Sequence, residues 1–166
     1  MSQNMAPFRA TISEVVQRWG TTAERREILY GFLELRASLR GLGLVNGFQW
    51  LDGSLTEQCE IMRGRPPNDI DVVTFFFQPV TVPPPPSPIL ALINDHDQTK
   101  SRFKVDHAMV NLNWPPFLVV DHTRFWFGLY SHRRLDEVWK GMVQVDLNTP
   151  KDDAIEMQNL KPASSS

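Results

Sequence analysis

Residues 50–77 read WLDGSLTEQCEIMRGRPPNDIDVVTFFF, and the predicted fold depends on this stretch. A short apolar run ends at Gly53-Ser54, and a second run, residues 70–77, is apolar at nearly every position. A strand of that composition is covered on both faces, so it belongs inside a sheet. Because side chains alternate along a strand, Asp69 and Asp71 are expected to point toward the same face.

The segments around this stretch alternate between helical and strand patterns. Upstream, Thr11 and Glu14 form a capping box for a short helix, and a longer amphipathic helix follows Thr21 or Thr22. Downstream, the predicted elements are, in order, a helix over 88–97, strand 103–112, helix 117–130, strand 140–147 and a helix starting at Asn148-Thr149-Pro150. The pattern therefore predicts an α/β (α+β) fold, in which a short mixed sheet is backed by helices.

Length and composition favour a single domain. The chain has 166 residues, of which 42% are hydrophobic and 22% charged, as in an ordinary globular protein. We expect a flexible N-terminus over residues 1–10, one domain over 11–162 and a disordered tail over 163–166. The segment 82–88, VPPPPSP, can form only polyproline II or loop, because proline lacks the hydrogen-bond donor of a strand. A linker is the simpler interpretation of this segment, and a partner-docking arm is the alternative.

The charge and cysteine content restrict the function classes. The 17 Lys and Arg nearly balance the 19 Asp and Glu, so extended nucleic-acid binding is not expected. Cys59 is the only cysteine, which excludes an intrachain disulfide and a cysteine-based zinc site. We find neither a signal-peptide pattern nor an apolar run near the ~18 residues of a membrane span. These features predict a cytoplasmic protein without membrane interaction.

Three aspartates form the candidate catalytic site. Asp106 lies near the start of the predicted strand 103–112, as Asp69 and Asp71 do in theirs. If the three converge from adjacent strands, their carboxylates repel each other unless a cation neutralises them. Oxygen ligands with open coordination positions suit Mg²⁺ or Mn²⁺, and a pair of such ions about 3.5–4 Å apart assists phosphoryl or nucleotidyl transfer. A lone Asp-x-Asp is more often a solvated strand end, and the third aspartate favours the metal site.

Gly53, Ser54 and nearby basic residues are candidates for phosphate binding. Glycine at a strand end allows close backbone approach to a ligand, and a serine that caps the next helix leaves N–H groups facing an anion. Arg65, Arg133 and Lys140 are candidate partners of a triphosphate, although an exposed position on a solvated face is the simpler interpretation of each.

Two polar neighbours of candidate residues, His107 beside Asp106 and Asp52 beside Gly53, are not expected to belong to the site. His107 follows Asp106 in the predicted strand, so it is expected to face the opposite side of the sheet and to be packed. By the same alternation, Asp52 is expected to point away from the side used by Gly53.

The chain resembles the nucleotidyltransferase superfamily with the polymerase-beta-like core. The resemblance lies in Gly53-Ser54, in Asp69-Ile70-Asp71 at the start of an apolar strand, and in Asp106 on a later strand. The resemblance covers residues 45–112. It implies that Ser54 contacts nucleotide phosphate, that Asp69 and Asp71 bind two Mg²⁺ or Mn²⁺ ions, and that Asp106 assists the metal near the acceptor hydroxyl. The longer pattern, GSLTE with RPPNDIDVVTFF, is similar to an uncharacterised bacterial subgroup of this superfamily.

Two features depart from the superfamily pattern. Asp69 follows Ser54 by fifteen positions, which is longer than usual and indicates an extra loop turn through RGRPP. Leu55-Thr56-Glu57 replaces the small, basic or glycine-containing continuation of many members, so the choice of nucleotide is open.

The resemblance implies a metal-dependent nucleotidyltransferase that moves an NMP from an NTP to an acceptor hydroxyl and releases pyrophosphate. A partner protein or a homo-oligomer is expected to complete so small a protein, as in toxin-antitoxin pairs of this superfamily. Two alternatives stay open. One is a non-catalytic, antitoxin-like subunit that binds a nucleotide or a partner, and the other is an Asp-x-Asp glycosyltransferase, for which the segment before Asp69 is short.

Overall fold

The computed structural model describes residues 6–79, 88–132 and 139–161. Four groups of residues with predictions attached lie outside these ranges: the first five residues, most of the proline-rich segment 82–88, Arg133, and residues 162–166, which include the predicted tail 163–166. The described residues form a mixed α/β structure with a five-stranded sheet, which confirms the predicted fold class.

The sheet has the order β1-β5-β2-β3-β4. Its strands are β1 (Phe8–Arg9), β2 (Gly47–Asp52), β3 (Ile70–Phe76), β4 (Val105–Asn111) and β5 (Val143–Asp146). β3 lies between antiparallel β2 and parallel β4, so the apolar run of residues 70–77 is internal, as predicted. β1 pairs with β5 in parallel, although no element is predicted before Thr11. Two backbone hydrogen bonds to a strand far along the chain form this pairing, and local periodicity does not reveal such contacts.

Helices cover the sheet. They are α1 (Ile12–Trp19), α2 (Ala23–Gly41), α3 (Cys59–Arg63), α4 (Pro88–Asn94), α5 (His96–Phe103), α6 (Pro116–Tyr130) and α7 (Pro150–Leu160). The predicted capping box of Thr11 and Glu14 is present, and Thr22 caps α2. Within the described residues, no helix is both long enough and apolar enough to cross a membrane.

Helix α5 is the main element that the sequence pattern does not predict. The prediction has a single helix over 88–97 and a strand from residue 103, whereas Phe103 ends α5 and β4 begins at Val105. Asp95 caps α5 by accepting a hydrogen bond from the backbone N–H of Gln98 at 3.0 Å. Lys104 ends the helix in the left-handed conformation, with φ 56°. The buried Phe103 therefore belongs to α5 and not to the predicted strand. The sequence pattern does not separate the two, because one buried aromatic residue is consistent with a helix or a strand.

Strand alternation divides the sheet into two apolar layers. Leu51 and Val72 belong to the larger layer, which includes side chains of α1, α2, α5 and α7. Trp50 and Val73 belong to a smaller layer against α6. Asp71 has the same parity as Val73, so the aspartates of the predicted site face the layer that contains α6.

A buried polar chain crosses the larger layer and includes His107. Arg36 donates to Gln49 Oε1 at 2.6 Å, Gln49 Nε2 donates to Thr74 Oγ1 at 2.9 Å, and Thr74 Oγ1 lies 2.8 Å from His107 Nε2. At the other end, Arg36 donates to Asp153 Oδ2 at 2.9 Å, and both side chains are fully buried. His107 is therefore packed on the side opposite Asp106, as predicted. Burial lowers the pKa of His107 to about 4.

Candidate active site

A cavity of about 570 Å³ lies beside the end of β2 and the starts of β3 and β4. Its volume is within the usual range for small-molecule sites. The cavity contains all the predicted site residues that the structure describes, which are Gly53, Ser54, Arg65, Asp69, Asp71, Asp106 and Lys140. Arg133, the remaining predicted residue, lies outside the described ranges. The C-terminal end of α6 contributes Leu129 and Tyr130 to the cavity wall.

Strand register arranges three carboxylates in a row. Asp71 is the register partner of Asp106 across the parallel β3–β4 pair and of Asp52 across the antiparallel β2–β3 pair. Register partners point toward the same face, so the three side chains lie on adjacent strands above one side of the sheet. Asp69, two residues before Asp71, lines the same cavity. The convergence of Asp69, Asp71 and Asp106 on one site agrees with the prediction.

Asp52 also lines the cavity, and the expectation that it points away from the site was wrong. Alternation relative to Gly53 does not orient Asp52, because glycine has no side chain. The antiparallel pairing with Asp71 determines where Asp52 points. Asp52 is only 2% exposed, and Lys140 Nζ lies 2.8 Å from its Oδ2. Burial raises the pKa of Asp52 to about 6, and the Lys140 charge opposes that rise.

Lys140 is shared between two carboxylates. In addition to Asp52, it contacts Glu57 Oε1 at 3.1 Å. The other oxygen of Glu57 accepts a hydrogen bond from Arg63 at 2.9 Å. Arg65 is exposed, and its guanidinium donates to the backbone carbonyl of Pro66 at 3.3 Å. The cavity thus contains basic groups as well as carboxylates, and Lys140 is held in place by ion pairs.

Lys100 and His96 of α5 contact the aspartates at the β4 side of the cavity. Lys100 Nζ lies 2.7 Å from Asp69 Oδ2 and 3.4 Å from Asp106 Oδ2. His96 Nε2 lies 2.7 Å from Asp106 Oδ1. Asp69 raises the pKa of Lys100, and Asp106 raises the pKa of His96.

Neither residue is predicted as a site residue, because the sequence pattern does not predict α5. Their spacing of four residues places His96 and Lys100 on one face of that helix. The signal that identifies α5 is Asp95 followed three residues later by Gln98, which is the residue spacing of a helix N-terminus.

The Gly53 turn brings the backbone close to Asp71. Gly53 has φ 88° and ψ −166°, a conformation that is essentially restricted to glycine. A Cβ atom at this position would lie 2.8 Å from Asp71 Cγ and 3.0 Å from the backbone N of Asp71. Ser54 is the first residue of a short 3-10 helix, Ser54–Thr56, whose N-cap is Gly53. The prediction that Ser54 caps the helix was therefore wrong, and its hydroxyl lies 3.5 Å from the carbonyl of Asp69.

Arg25 of α2 fixes the chain that follows the turn. It is 4% exposed and donates to the carbonyls of Leu55 and Glu57, both at 2.6 Å. It also forms two hydrogen bonds with the Glu60 carboxylate, at 2.6 and 2.8 Å, which lower the pKa of Glu60. One buried guanidinium thus connects the long helix α2 to the glycine-containing wall of the cavity.

The donor chemistry of the cavity fits a hard divalent cation. Carboxylate oxygens are the ligands that Mg²⁺ and Mn²⁺ prefer, and Asp69, Asp71 and Asp106 supply them on one side of an open cavity. In the observed arrangement, no group of three or more His, Cys, Asp or Glu side chains of the described residues is placed to hold a metal ion. The Lys100 ammonium lies between Asp69 and Asp106, so metal binding requires these side chains to rearrange.

Residues 3–146 match the model of a family described as a family of unknown function (DUF6932), and the chain therefore belongs to that family. The matched region contains every residue of the cavity. Neither the curated proteins nor the solved structures include a match to the chain.

Proposed function

We propose that this DUF6932 member is a metal-dependent nucleotidyltransferase that moves an NMP from an NTP to an acceptor hydroxyl and releases pyrophosphate. The observation that carries the proposal is the register of Asp71 and Asp106 on adjacent parallel strands, facing the same cavity as Asp69 and the Gly53 turn. Nucleotidyl transfer requires several acidic oxygen ligands beside a phosphate-binding surface, and the carboxylates of the cavity and the open backbone at Gly53 support the proposal.

Asp69, Asp71 and Asp106 are the proposed ligands of two Mg²⁺ or Mn²⁺ ions. When bound, such ions activate an acceptor hydroxyl and neutralise the charge that develops on the leaving group. The acceptor oxygen attacks the α-phosphorus and the bond from the α-phosphorus to the oxygen that bridges it to the β-phosphorus breaks. Pyrophosphate leaves with that oxygen, and the hydroxyl proton passes to water. Asp106 is the proposed ligand nearest the acceptor.

The rest of the cavity wall is proposed to bind the triphosphate. Gly53 lets the phosphates approach the backbone, because no Cβ stands in the way. Arg65 and Lys140 provide positive charge in the cavity wall. Since Lys140 already neutralises Asp52 and Glu57, Arg65 is the more available of the two for a phosphate group.

We also propose that a second chain, either a partner protein or another copy, covers α6. This 15-residue helix buries only Tyr130 among its described residues, whereas Phe117 is 67% and Phe125 is 60% exposed. The neighbouring Trp139 is 70% exposed. Exposed apolar groups that are contiguous commonly mark an interaction site. With one buried cysteine, Cys59, the proposed location is the reducing cytoplasm.

The experiment compares two radioactive labels. Purified protein is incubated with Mg²⁺, cell extract and NTPs labelled at either the α- or the γ-phosphate. Nucleotidyl transfer moves the α label to an acceptor and leaves the γ label in pyrophosphate. The Asp71→Asn variant is expected to lose transfer, whereas Asp152→Asn, an exposed carboxylate in the first turn of α7, is the matched control. If α label is never transferred, or Asp71→Asn transfers as the wild type does, the enzyme proposal is refuted.

A non-catalytic, antitoxin-like module that binds a nucleotide or a partner is the second candidate. One observation favours it: lysines already neutralise the carboxylates of Asp52, Asp69 and Asp106. Such a protein needs no divalent ion to keep these carboxylates together. It would bind NTP equally well with Mg²⁺ or with EDTA and transfer no label, which distinguishes it from the enzyme.

A further inference from the structure

The Lys100 ammonium occupies the space between two proposed metal ligands. Its Nζ is 2.7 Å from Asp69 Oδ2 and 3.4 Å from Asp106 Oδ2. An Mg²⁺ ion coordinates oxygens at about 2.0–2.1 Å and excludes a second cation from the same oxygens. A divalent ion that uses these two oxygens must therefore displace Lys100.

Greater exposure makes Lys100 easier to displace than the other lysine of the cavity. Its side chain is 41% exposed, and ion pairs with that much solvent contact are weak. Lys140, in contrast, is 19% exposed and is held by Asp52, whose side chain is 3% exposed. The long, flexible lysine side chain also allows the ammonium of Lys100 to leave the carboxylates while remaining in the cavity that it lines.

We propose that Lys100 is an exchangeable counter-cation, which neutralises Asp69 and Asp106 when no divalent ion is bound and contacts the triphosphate when a divalent ion replaces it. The inference rests on the proposed function, because it takes Asp69 and Asp106 as metal ligands. It assigns Lys100 two roles with opposite effects, since the ammonium competes with the metal ion and attracts the phosphates. Without the ammonium, only His96, which contacts the other Asp106 oxygen, would remain against that carboxylate among the described contacts.

The first measurement is Mn²⁺ binding to the purified full chain without nucleotide. The electron paramagnetic resonance signal of free Mn²⁺ reports how much of the ion remains unbound. Lys100→Met removes the competing ammonium, and we expect Mn²⁺ to bind about fivefold more tightly. Lys104→Met is the matched control, because it removes the same charge from a lysine that instead contacts Glu27 at 3.4 Å. The control corrects for the general effect of net charge on cation binding, and its affinity is expected to stay close to that of the wild type.

The second measurement is binding of inorganic tripolyphosphate in the presence of saturating Mn²⁺, by isothermal titration calorimetry. This probe represents the triphosphate without depending on the base. Lys100→Met is expected to weaken its binding by about fivefold, whereas Lys104→Met leaves it unchanged. A purely structural role of Lys100 would not make Mn²⁺ binding tighter and tripolyphosphate binding weaker in the same variant. A thermal melt followed by circular dichroism checks that the variants are folded.

The outcomes separate this inference from the proposed function. Tighter Mn²⁺ binding together with weaker tripolyphosphate binding in Lys100→Met supports the exchange. If the wild type binds Mn²⁺ and Lys100→Met binds it equally or less tightly, the inference is overturned while the proposed function stands. Tripolyphosphate binding that is unchanged in Lys100→Met also overturns it, because the second role is then absent. If neither protein binds Mn²⁺, both the inference and the metal-dependent function are refuted.

Discussion

Replacing Gly53 by alanine tests whether the glycine is required by its closeness to Asp71. The φ of 88° and ψ of −166° place Gly53 in a region that strains any other residue by about 1–3 kcal/mol. The new Cβ would also lie 2.8 Å from Asp71 Cγ and 3.0 Å from Asp71 N. The carboxylate can rotate away but the backbone N cannot, and such overpacking adds about 1–3 kcal/mol. We expect Gly53→Ala to lower the free energy of unfolding by about 2–6 kcal/mol.

The assay is urea denaturation of Gly53→Ala beside Gly64→Ala, a control at another glycine with positive φ. Gly64 has φ 64°, and a Cβ there would meet no heavy atom within 4 Å. Gly64→Ala is therefore expected to lose only the strain of a left-handed alanine, about 1–2 kcal/mol. If Gly53→Ala loses no more stability than Gly64→Ala, contact with Asp71 does not constrain Gly53 and the reasoning is refuted. Under the proposed function, Gly53→Ala also reduces transfer of the α label, because it displaces the Asp71 carboxylate.

Three further predictions concern buried polar groups. Burial lowers the pKa of His107 from 6.5 to about 4, so the unfolded chain binds the proton first as the pH falls. The free energy of unfolding is therefore at its full value above pH 6.5 and is lower by about 3 kcal/mol at pH 4. Urea titrations across this range should show a shallower decrease for His107→Gln, and equal slopes would contradict the assignment. Asp153→Ala leaves the buried charge of Arg36 without its carboxylate and is expected to lower the free energy of unfolding by about 3–5 kcal/mol, measured by urea denaturation; a loss below 1 kcal/mol would count against this role. A lysine at position 25 cannot form the several hydrogen bonds that Arg25 makes to Leu55, Glu57 and Glu60. Arg25→Lys should therefore lower the free energy of unfolding by about 1–3 kcal/mol and accelerate amide hydrogen exchange at residues 56 and 57. Unchanged exchange would contradict this role of Arg25.

Local sequence patterns predicted the elements that carry most of the candidate site. The continuous apolar run after Asp69 identified an internal strand, and alternation placed Asp69 and Asp71 on the same face. The predicted strand around Asp106 is correct except at its start, and Asp106 lies beside Asp71 because the two strands pair. These predictions succeeded because they depend only on the periodicity of nearby residues.

The missed residues depend on contacts between distant parts of the chain. Asp52 enters the cavity through its antiparallel register with Asp71, and a single strand's pattern does not contain that register. Lys100 enters it from an eight-residue polar helix whose only apolar buried residue, Phe103, is equally consistent with a strand. Phe8 and Arg9 form a strand only because β5 supplies the backbone partners.

The central claim is that Asp69, Asp71 and Asp106 bind catalytic metal ions beside the phosphates of an NTP. A crystal structure with Mn²⁺ and a non-hydrolysable NTP tests it most directly, because the anomalous signal of manganese locates each ion independently of the model phases. The predicted result is anomalous density within about 2.0–2.3 Å of carboxylate oxygens of Asp71 and Asp106, with the triphosphate against Gly53. Nucleotide bound elsewhere, or Lys100 still bridging Asp69 and Asp106 with no manganese beside them, would contradict the claim.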